Sequence, residues 1–331
     1  MHGRLGAVVL GLVAAVTTAA ALAARPAAGA PQPTVDYVVV VGVPGLRWDD
    51  VDATRTPTLW RLASEGSIGS LSVRSAHLPT CPSDGWLTLG AGNYAAWHGT
   101  DTAGQCPPVA ARIRQPDRIG ANLEQQRTVV RRNTERLPWG AVPGALAESV
   151  RCTAAVGPGA AVAAARPFGR VDRYQPRLPA DPTDLLSYCV LSIVDAGTVA
   201  GPPGPAREAA ARQVDAALAT VLAARPARSL RLIAGVSDTD ATSRLHVAIA
   251  HGPGWAGGWL TSASTGRDGY LQLVDLAPTA LAALGKAAPK GLFIGQSANS
   301  VPGRPADLAA AVTAPADADR EAAAQRRVAA G

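Results

Sequence analysis

The stretch from Thr80 through Cys81, Pro82, Ser83 and Asp84 to Asn93 holds the residue types best placed for chemistry in this sequence. Pro82 suits the first position of a helix, where its missing N–H is no loss and its fixed φ already fits, so Thr80 or Cys81 would cap that helix. A helix start leaves backbone N–H groups free and carries partial positive charge, which makes a seat for a phosphate or sulfate oxyanion. A hydroxyl beside that seat, aimed at a bound phosphoryl group, can act as a nucleophile. Thr80 is therefore the candidate catalytic residue, with Ser83 and Asn93 as candidate substrate-binding groups. The same residues also read as an ordinary capped helix, and Asn93 as a turn cap.

Other titratable side chains are scattered. His77 and His98 bracket the Thr80 segment, but no spacing compels either to approach it. Asp238 and Asp240 follow an apolar run, where aspartate equally caps turns. His246 opens another apolar run and reads as a structural histidine or a late metal ligand; His251 precedes Gly-Pro-Gly and reads as a loop residue. The four cysteines, Cys81, Cys106, Cys152 and Cys189, form no CxxC pair and no His-containing metal spacing. Behind an export signal an even count favours two disulfides. Three pairings exist, and nearness in sequence favours Cys81–Cys106 with Cys152–Cys189.

These groups must be carried by strands and helices. Asp36–Val43 is a short β-branched run of the kind buried on both faces of a sheet. Thr56–Gly66 predicts a helix with Thr56 as N-cap, Pro57 at the first position, Leu59, Leu62 and Ala63 on one face, and Gly66 as a left-handed cap. Ser67–Ser75, Ser187–Val194, Leu230–Val236 and His246–Ala250 predict strands. Pro205 opens a long helix with a stripe of Val214, Ala217, Leu218, Val221 and Leu222, and Leu276–Leu284 predicts a final one. This alternation implies a three-layer α/β/α sandwich around a mostly parallel sheet, with chemistry at the C-terminal ends of the strands.

Composition sets the outer limits. The chain has 331 residues, 47% hydrophobic and 17% charged, which supports a substantial core and excludes a disordered chain. The net charge is +6, carried almost wholly by arginine, since Lys286 and Lys290 are the only lysines. The densest basic stretch, Arg112–Arg136, is broken by Asp117, Glu124 and Glu135 and has no aromatic residue, so it reads as a solvated loop and not as a nucleic-acid surface. Residues 1–30 carry His2 and Arg4, then an apolar run from Leu5 to Ala24 ending in Ala21-Leu22-Ala23. They read as a cleaved signal peptide or an uncleaved N-terminal anchor, and both place the body outside the cytoplasm. The body is expected over 31–300, with 301–331 as an Ala-rich solvated helix, tail or linker.

Several segments, in order, resemble the alkaline phosphatase superfamily, which includes phosphodiesterases and sulfatases. They are Val41-Gly-Val-Pro-Gly-Leu-Arg-Trp-Asp49, Thr56-Pro-Thr-Leu with Glu65-Gly66, Thr80-Cys-Pro82 with Leu87 and Gly90, Ser237-Asp-Thr-Asp240, and Asp275-Leu-Ala-Pro-Thr-Ala-Leu with Leu284-Gly285. The resemblance implies an alkaline-phosphatase-like fold and Thr80 as nucleophile. It also implies two metal ions, usually zinc, to turn the hydroxyl into an alkoxide and clamp the phosphoryl oxygens. The ligand set departs from that pattern. Pro44 stands where the first-strand aspartate belongs, Val199 where the histidine of the middle element belongs, and Thr239 where the histidine of the Asp-His pair belongs. Asp195, Asp238 and His246 remain as metal candidates, with Asp49 and Asp240 as local substitutes. They suffice for a single divalent ion such as zinc and not for two. Two readings follow. One is a degenerate domain that binds a ligand, a cell-envelope or membrane component, or a protein. The other is an active hydrolase of phosphoric or sulfuric esters with Thr80 and a reduced metal set.

Overall fold

The structure is a computed structural model that describes residues 33–98 and 106–329; the N-terminal segment 1–30, read as a signal peptide or anchor, lies outside the described residues. The strands described are β1 (Tyr37–Gly42), β2 (Ser67–Ser72), β3 (Ile113–Arg114), β4 (Ala121–Leu123), β5 (Thr153–Val156), β6 (Arg170–Val171), β7 (Arg173–Gln175), β8 (Leu191–Asp195), β9 (Ser229–Ala234), β10 (Leu245–His251), β11 (Trp259–Thr261), β12 (Tyr270–Gln272) and β13 (Asn299–Val301). The helices are α1 (Pro57–Glu65), α2 (Pro82–Ala91), α3 (Gln126–Glu135), α4 (Ala145–Val150), α5 (Pro158–Ala164), α6 (Thr183–Tyr188), α7 (Pro205–Ala223), α8 (Leu276–Ala283) and α9 (Leu308–Ala329).

One large sheet runs in the order β13-β11-β2-β10-β9-β1-β8-β5-β7, with β12 also pairing β2. The strands around β1 are parallel; β10 runs against both β9 and β2, and β13 against β11. Strand β1 shows why the sheet has two covered faces. Val38 and Val40 join a core with α2, α4, α5 and α8, whereas Val39 and Val41 join one with α1, α7 and α9. A continuous valine run satisfies both faces, as a strand between two helical layers requires. The expected three-layer α/β/α sandwich with a mostly parallel sheet is the one observed.

Some local expectations change. Thr56 precedes α1, but its hydroxyl donates to Asp50 O at 2.9 Å, and Asp215 of α7 does the capping by accepting Thr58 N–H and Leu59 N–H at 3.1 and 2.7 Å. A carboxylate from a neighbouring helix therefore does what the local hydroxyl was expected to do. Gly66 is extended, with φ −98°, because the chain passes directly into β2. Ser187 and Tyr188 end helix α6, so the eighth strand begins only at Leu191. The stretch 112–136 is not a loop: it forms β3, β4 and α3, and β3, β4 and β6 make a small antiparallel sheet. His251 is the last residue of β10 rather than a loop residue.

The C-terminal segment, expected to be a solvated helix, tail or linker, is helix α9, and one of its faces is buried. Ala311, Val312 and Ala316 join the α1/α7 core, and Asp319, 2% exposed, accepts Arg244 Nε–H at 2.8 Å and Leu245 N–H at 2.7 Å. Alanine is small enough to let the helix lie close, so its buried stripe carries little hydropathy signal in the sequence. Arg304 reaches back to the carbonyls of Ala63, Ser64 and Gly66, the negative end of α1. Among the described residues no helix is long and apolar enough to cross a membrane.

Two disulfides close, Cys81–Cys106 and Cys152–Cys189, the pairing that nearness in sequence favoured. The second joins the turn before β5 to the end of α6.

Candidate functional site

Helix α2 begins at Pro82 with Cys81 as N-cap, so Thr80 precedes the cap at the C-terminal edge of the sheet. Thr80 is fully buried. Its hydroxyl lies 3.3 Å from both Val73 O, to which it donates, and Ser75 Oγ. Its backbone is tied to the turn after β9: Thr80 N–H donates to Asp238 Oδ2 at 3.2 Å, and Asp238 N–H donates to Thr80 O at 2.8 Å.

Asp238 and His246 do come together, 3.0 Å apart between Oδ1 and Nε2, both buried. The other ring nitrogen, Nδ1, faces Leu46 O at 3.1 Å. Both nitrogens thus face acceptors, so a hydrogen must lie between Nε2 and Oδ1 whichever atom holds it. Asp238 Oδ1 also accepts Arg244 N–H at 2.9 Å. Every oxygen of this carboxylate already serves a donor of the protein, and it acts as a junction between the turn after β9, the start of α2 and β10.

Asp195 lies elsewhere. It ends β8 opposite Gly42 of β1, and its oxygens accept Gly159 N–H at 3.1 Å and Gly197 N–H at 3.2 Å. Burial pushes its carboxyl above the usual range, against the pull of those two amides. Gly42, on the strand that separates Asp195 from the turn carrying Asp238, is roofed by the fully buried Trp86 indole; a Cβ at Gly42 would overlap that ring. Helix α2 thus sends an apolar side chain across the region where Asp195 would have had to meet the other two.

The three departures from the family pattern meet each other in space. Val199 N–H donates to Pro44 O at 2.9 Å, and Gly45, with φ +79°, fits so tightly that a Cβ would strike Val199 O and the Thr239 side chain. The positions where the resemblance places metal ligands are adjacent, but they pack as buried Pro44 and Val199 with the half-buried Thr239. Among the described residues no three His, Cys, Asp or Glu side chains converge as a metal would need. The residues present therefore do not fit a two-metal centre. Nor do Asp195, Asp238 and His246 form the single site expected, because the first is separated from the other two and those two are saturated by each other and by backbone amides.

The remaining expected residues separate by role. Ser83 lies on the first turn of α2 with its hydroxyl buried and unpartnered, and Ser237 Oγ is in the same state. Asn93 lies past the opposite end of α2, about 15 Å along the axis from its start, where Nδ2–H donates to Trp139 O at 3.0 Å and Oδ1 accepts Tyr94 N–H at 2.7 Å. It locks a turn and cannot share a ligand with Thr80. His77 Nδ1 lies 3.5 Å from Asp84 Oδ2, and Asp84 also accepts Trp97 N–H. His98 lines a surface hollow with Arg112, Glu124 and Arg132. Asp240 is exposed and closes a turn by accepting Thr242 N–H at 2.8 Å, and Asp49 is exposed 3.8 Å from Arg320. Cys106, bonded to Cys81 at the cap of α2, has its sulfur 3.8 Å from Asp240 O, so this disulfide holds the segment after residue 105 beside the start of α2.

His251 is a charge-sensitive position outside this site. Its Nδ1 accepts from Arg231 Nη2 at 2.8 Å, and Nε2 faces Glu65 at 3.3 Å. Burial first, then the Arg231, Arg225 and Arg61 charges, lower its pKa below the ordinary 6.5, with Glu65 opposing. The fold favours the neutral ring, so its contribution is complete above pH 6.5 and is lost as acid protonates Nδ1 against the Arg231 guanidinium. His251→Gln should flatten the stability–pH curve below pH 6.5, read as melting temperature across pH 5–8. An unchanged slope would contradict the assignment.

No protein-family model and no curated protein matches the sequence. Among solved structures the chain is similar to the murine ectonucleotide pyrophosphatase/phosphodiesterase 5, an inactive variant in complex with AMP, with TM-score 0.48, 12% identity and coverage of 79% of this chain and 97% of that one. It is similar to an alkaline phosphatase superfamily protein from Vibrio parahaemolyticus, with TM-score 0.47, 14% identity and coverage of 80% and 70%. A third is the lipoteichoic acid synthase LtaP from Listeria monocytogenes, with TM-score 0.45, 12% identity and coverage of 80% and 75%.

Proposed function

We propose that this chain is an extracytoplasmic, alkaline-phosphatase-like domain that binds a ligand instead of hydrolysing an ester at Thr80. The observation that carries the proposal is the junction of Pro44, Val199 and Thr239: three neighbouring positions, each lacking a ligand atom of the expected kind, with Val199 N–H bonded to Pro44 O and the Thr239 side chain packed beside Val199 O around Gly45. The Thr80 hydroxyl fits this reading, since it is buried and, among the described residues, its hydrogen bonds run to Val73 O and Ser75 Oγ and not to a carboxylate or imidazole. The two disulfides fit an oxidising compartment. The apolar N-terminal run would deliver the domain to the cell envelope, where a membrane or wall component is the partner the sequence suggests.

The Asp238–His246 pair, close to the Thr80 backbone, keeps a second reading in play: an ester hydrolase with Thr80 as nucleophile and a reduced metal set. Hydrolysis of a chromogenic phosphomonoester, phosphodiester and sulfate ester, with and without zinc, separates the two. The expected result is one background rate for wild type and Thr80→Ala under every condition, with substoichiometric zinc in the purified protein. Zinc-dependent turnover that Thr80→Ala abolishes would overturn the binding reading and establish the hydrolase.

A further inference from the structure

On the α1/α7 side of the sheet, away from α2, the loop after β1 and the start of α7 enclose a cavity of about 100 Å³ lined by Arg47, Asp49, Asp50, Arg55, Arg207 and Glu208, with Pro203 and Gly204 at its wall. Most of its charges are already matched. Arg207 makes a two-pronged ion pair with Asp50, at 2.8 and 2.6 Å, and spends its other donors on Gly45 O, Val199 O and Gly201 O. Arg55 pairs with Glu208 at 3.1 Å and with Asp52 at 3.3 Å. Asp49 faces Arg320 at 3.8 Å. Just beyond, Arg244 is held by Asp319 at 2.6 Å.

Arg47 is the exception. It is only 8% exposed, its Nε is buried without an acceptor, and among the described residues no ion pair involves it. Burial first, then the neighbouring Arg207 and Arg244 charges, push its pKa down, with Asp50 and Asp319 opposing from beyond ion-pair contact. A guanidinium does not shed its proton at neutral pH, so the cavity wall holds a buried positive charge that, among the described residues, no carboxylate contacts directly. Burying an unpaired charge weighs against the folded state unless something pairs with it. Helix α7, nineteen residues long with Gly204 as N-cap, adds its positive end to the same wall.

We infer that this cavity is an oxyanion site in which the Arg47 fork, beside the start of α7, holds a phosphate or sulfate group. Planar N–H donors in a fixed fork match two oxygens of such a group. The self-paired carboxylates around it set a tight frame, and the volume admits one small oxyanion or the terminal group of a larger molecule. None of the lining residues belongs to the Thr80 segment, and the site does not depend on what Thr80 does.

The test is thermal unfolding of the full chain at fixed ionic strength, titrated with inorganic phosphate, sulfate or glycerol 3-phosphate against sodium chloride. The expected result is a saturable rise in the melting temperature of the wild type with the oxyanions and none with chloride. Arg47→Met should abolish the rise and, without any anion, melt higher than wild type, because an unanswered buried charge is gone. Arg47→Lys keeps the charge without the fork and should weaken the midpoint concentration at least tenfold, which covers the case in which Arg47→Met does not fold. Thr80→Val should titrate as wild type. Tighter binding of glycerol 3-phosphate than of phosphate would assign the site to a phosphoryl group on a larger molecule, and the reverse order to a free ion. No saturable response, or an equal one in the Arg47 variants, would overturn the site; a response lost in Thr80→Val would move it to the start of α2.

Discussion

Arg207→Ala should cost the folded protein about 3–5 kcal/mol, because it strands the buried Asp50 carboxylate without its partner. The pair is fully enclosed, with side chains 5% and 6% exposed, and Arg207 also satisfies three backbone carbonyls from the loops after β1 and β8. A surface pair would be worth a fraction of this. Domains of this kind are typically stable by 5–15 kcal/mol, so the change would remove a large part of the margin. The urea midpoint of Arg207→Ala should fall steeply. The double replacement Arg207→Met with Asp50→Leu should recover much of the loss, since it leaves neither charge stranded. A loss below 1 kcal/mol for Arg207→Ala would show that water reaches Asp50 and that the clamp is not closed.

Asp238→Ala should be the most damaging change near Thr80, on the order of 4 kcal/mol, because Thr80 N–H, Arg244 N–H and the His246 ring all lose their acceptor. This outcome distinguishes a junction from a ligand. If Asp238 is structural, the loss is the same with zinc or with a chelator, and Asp238→Asn restores part of it by keeping an acceptor oxygen. If chelation alone destabilises the wild type as much as the substitution does, Asp238 is a metal ligand and the structural role fails.

The layers of the fold were legible because their signals are local. Val38–Val41 can only be a strand with two covered faces, and Pro57, Pro82 and Pro205 each open a helix at the first position. The pairing of Asp238 with His246 was anticipated only as a meeting of separate candidates, since eight residues of turn and strand lie between them. What the sequence concealed was long-range. Nothing near Thr56 announces that Asp215 will cap its helix. Nothing near Asp195 announces that Trp86 will lie over Gly42 and keep it from Asp238. Arg47 and Arg207 read as two more arginines in an arginine-rich chain until burial and partnering distinguish a closed clamp from an unanswered charge. Asn93 was linked to Thr80 by proximity in sequence, and a ten-residue helix puts that proximity at opposite ends.

Helix α9 bears on how this chain would tolerate proteolysis. The connector 302–307 is largely exposed, while the helix it leads to supplies Asp319 to Arg244, two residues from His246. A cut there that let the helix dissociate would leave Arg244 without its carboxylate and uncover the apolar strip that receives Ala311, Val312 and Ala316. The clipped body would therefore be prone to self-association, and loss of α9 would also loosen the turn that secures Thr80.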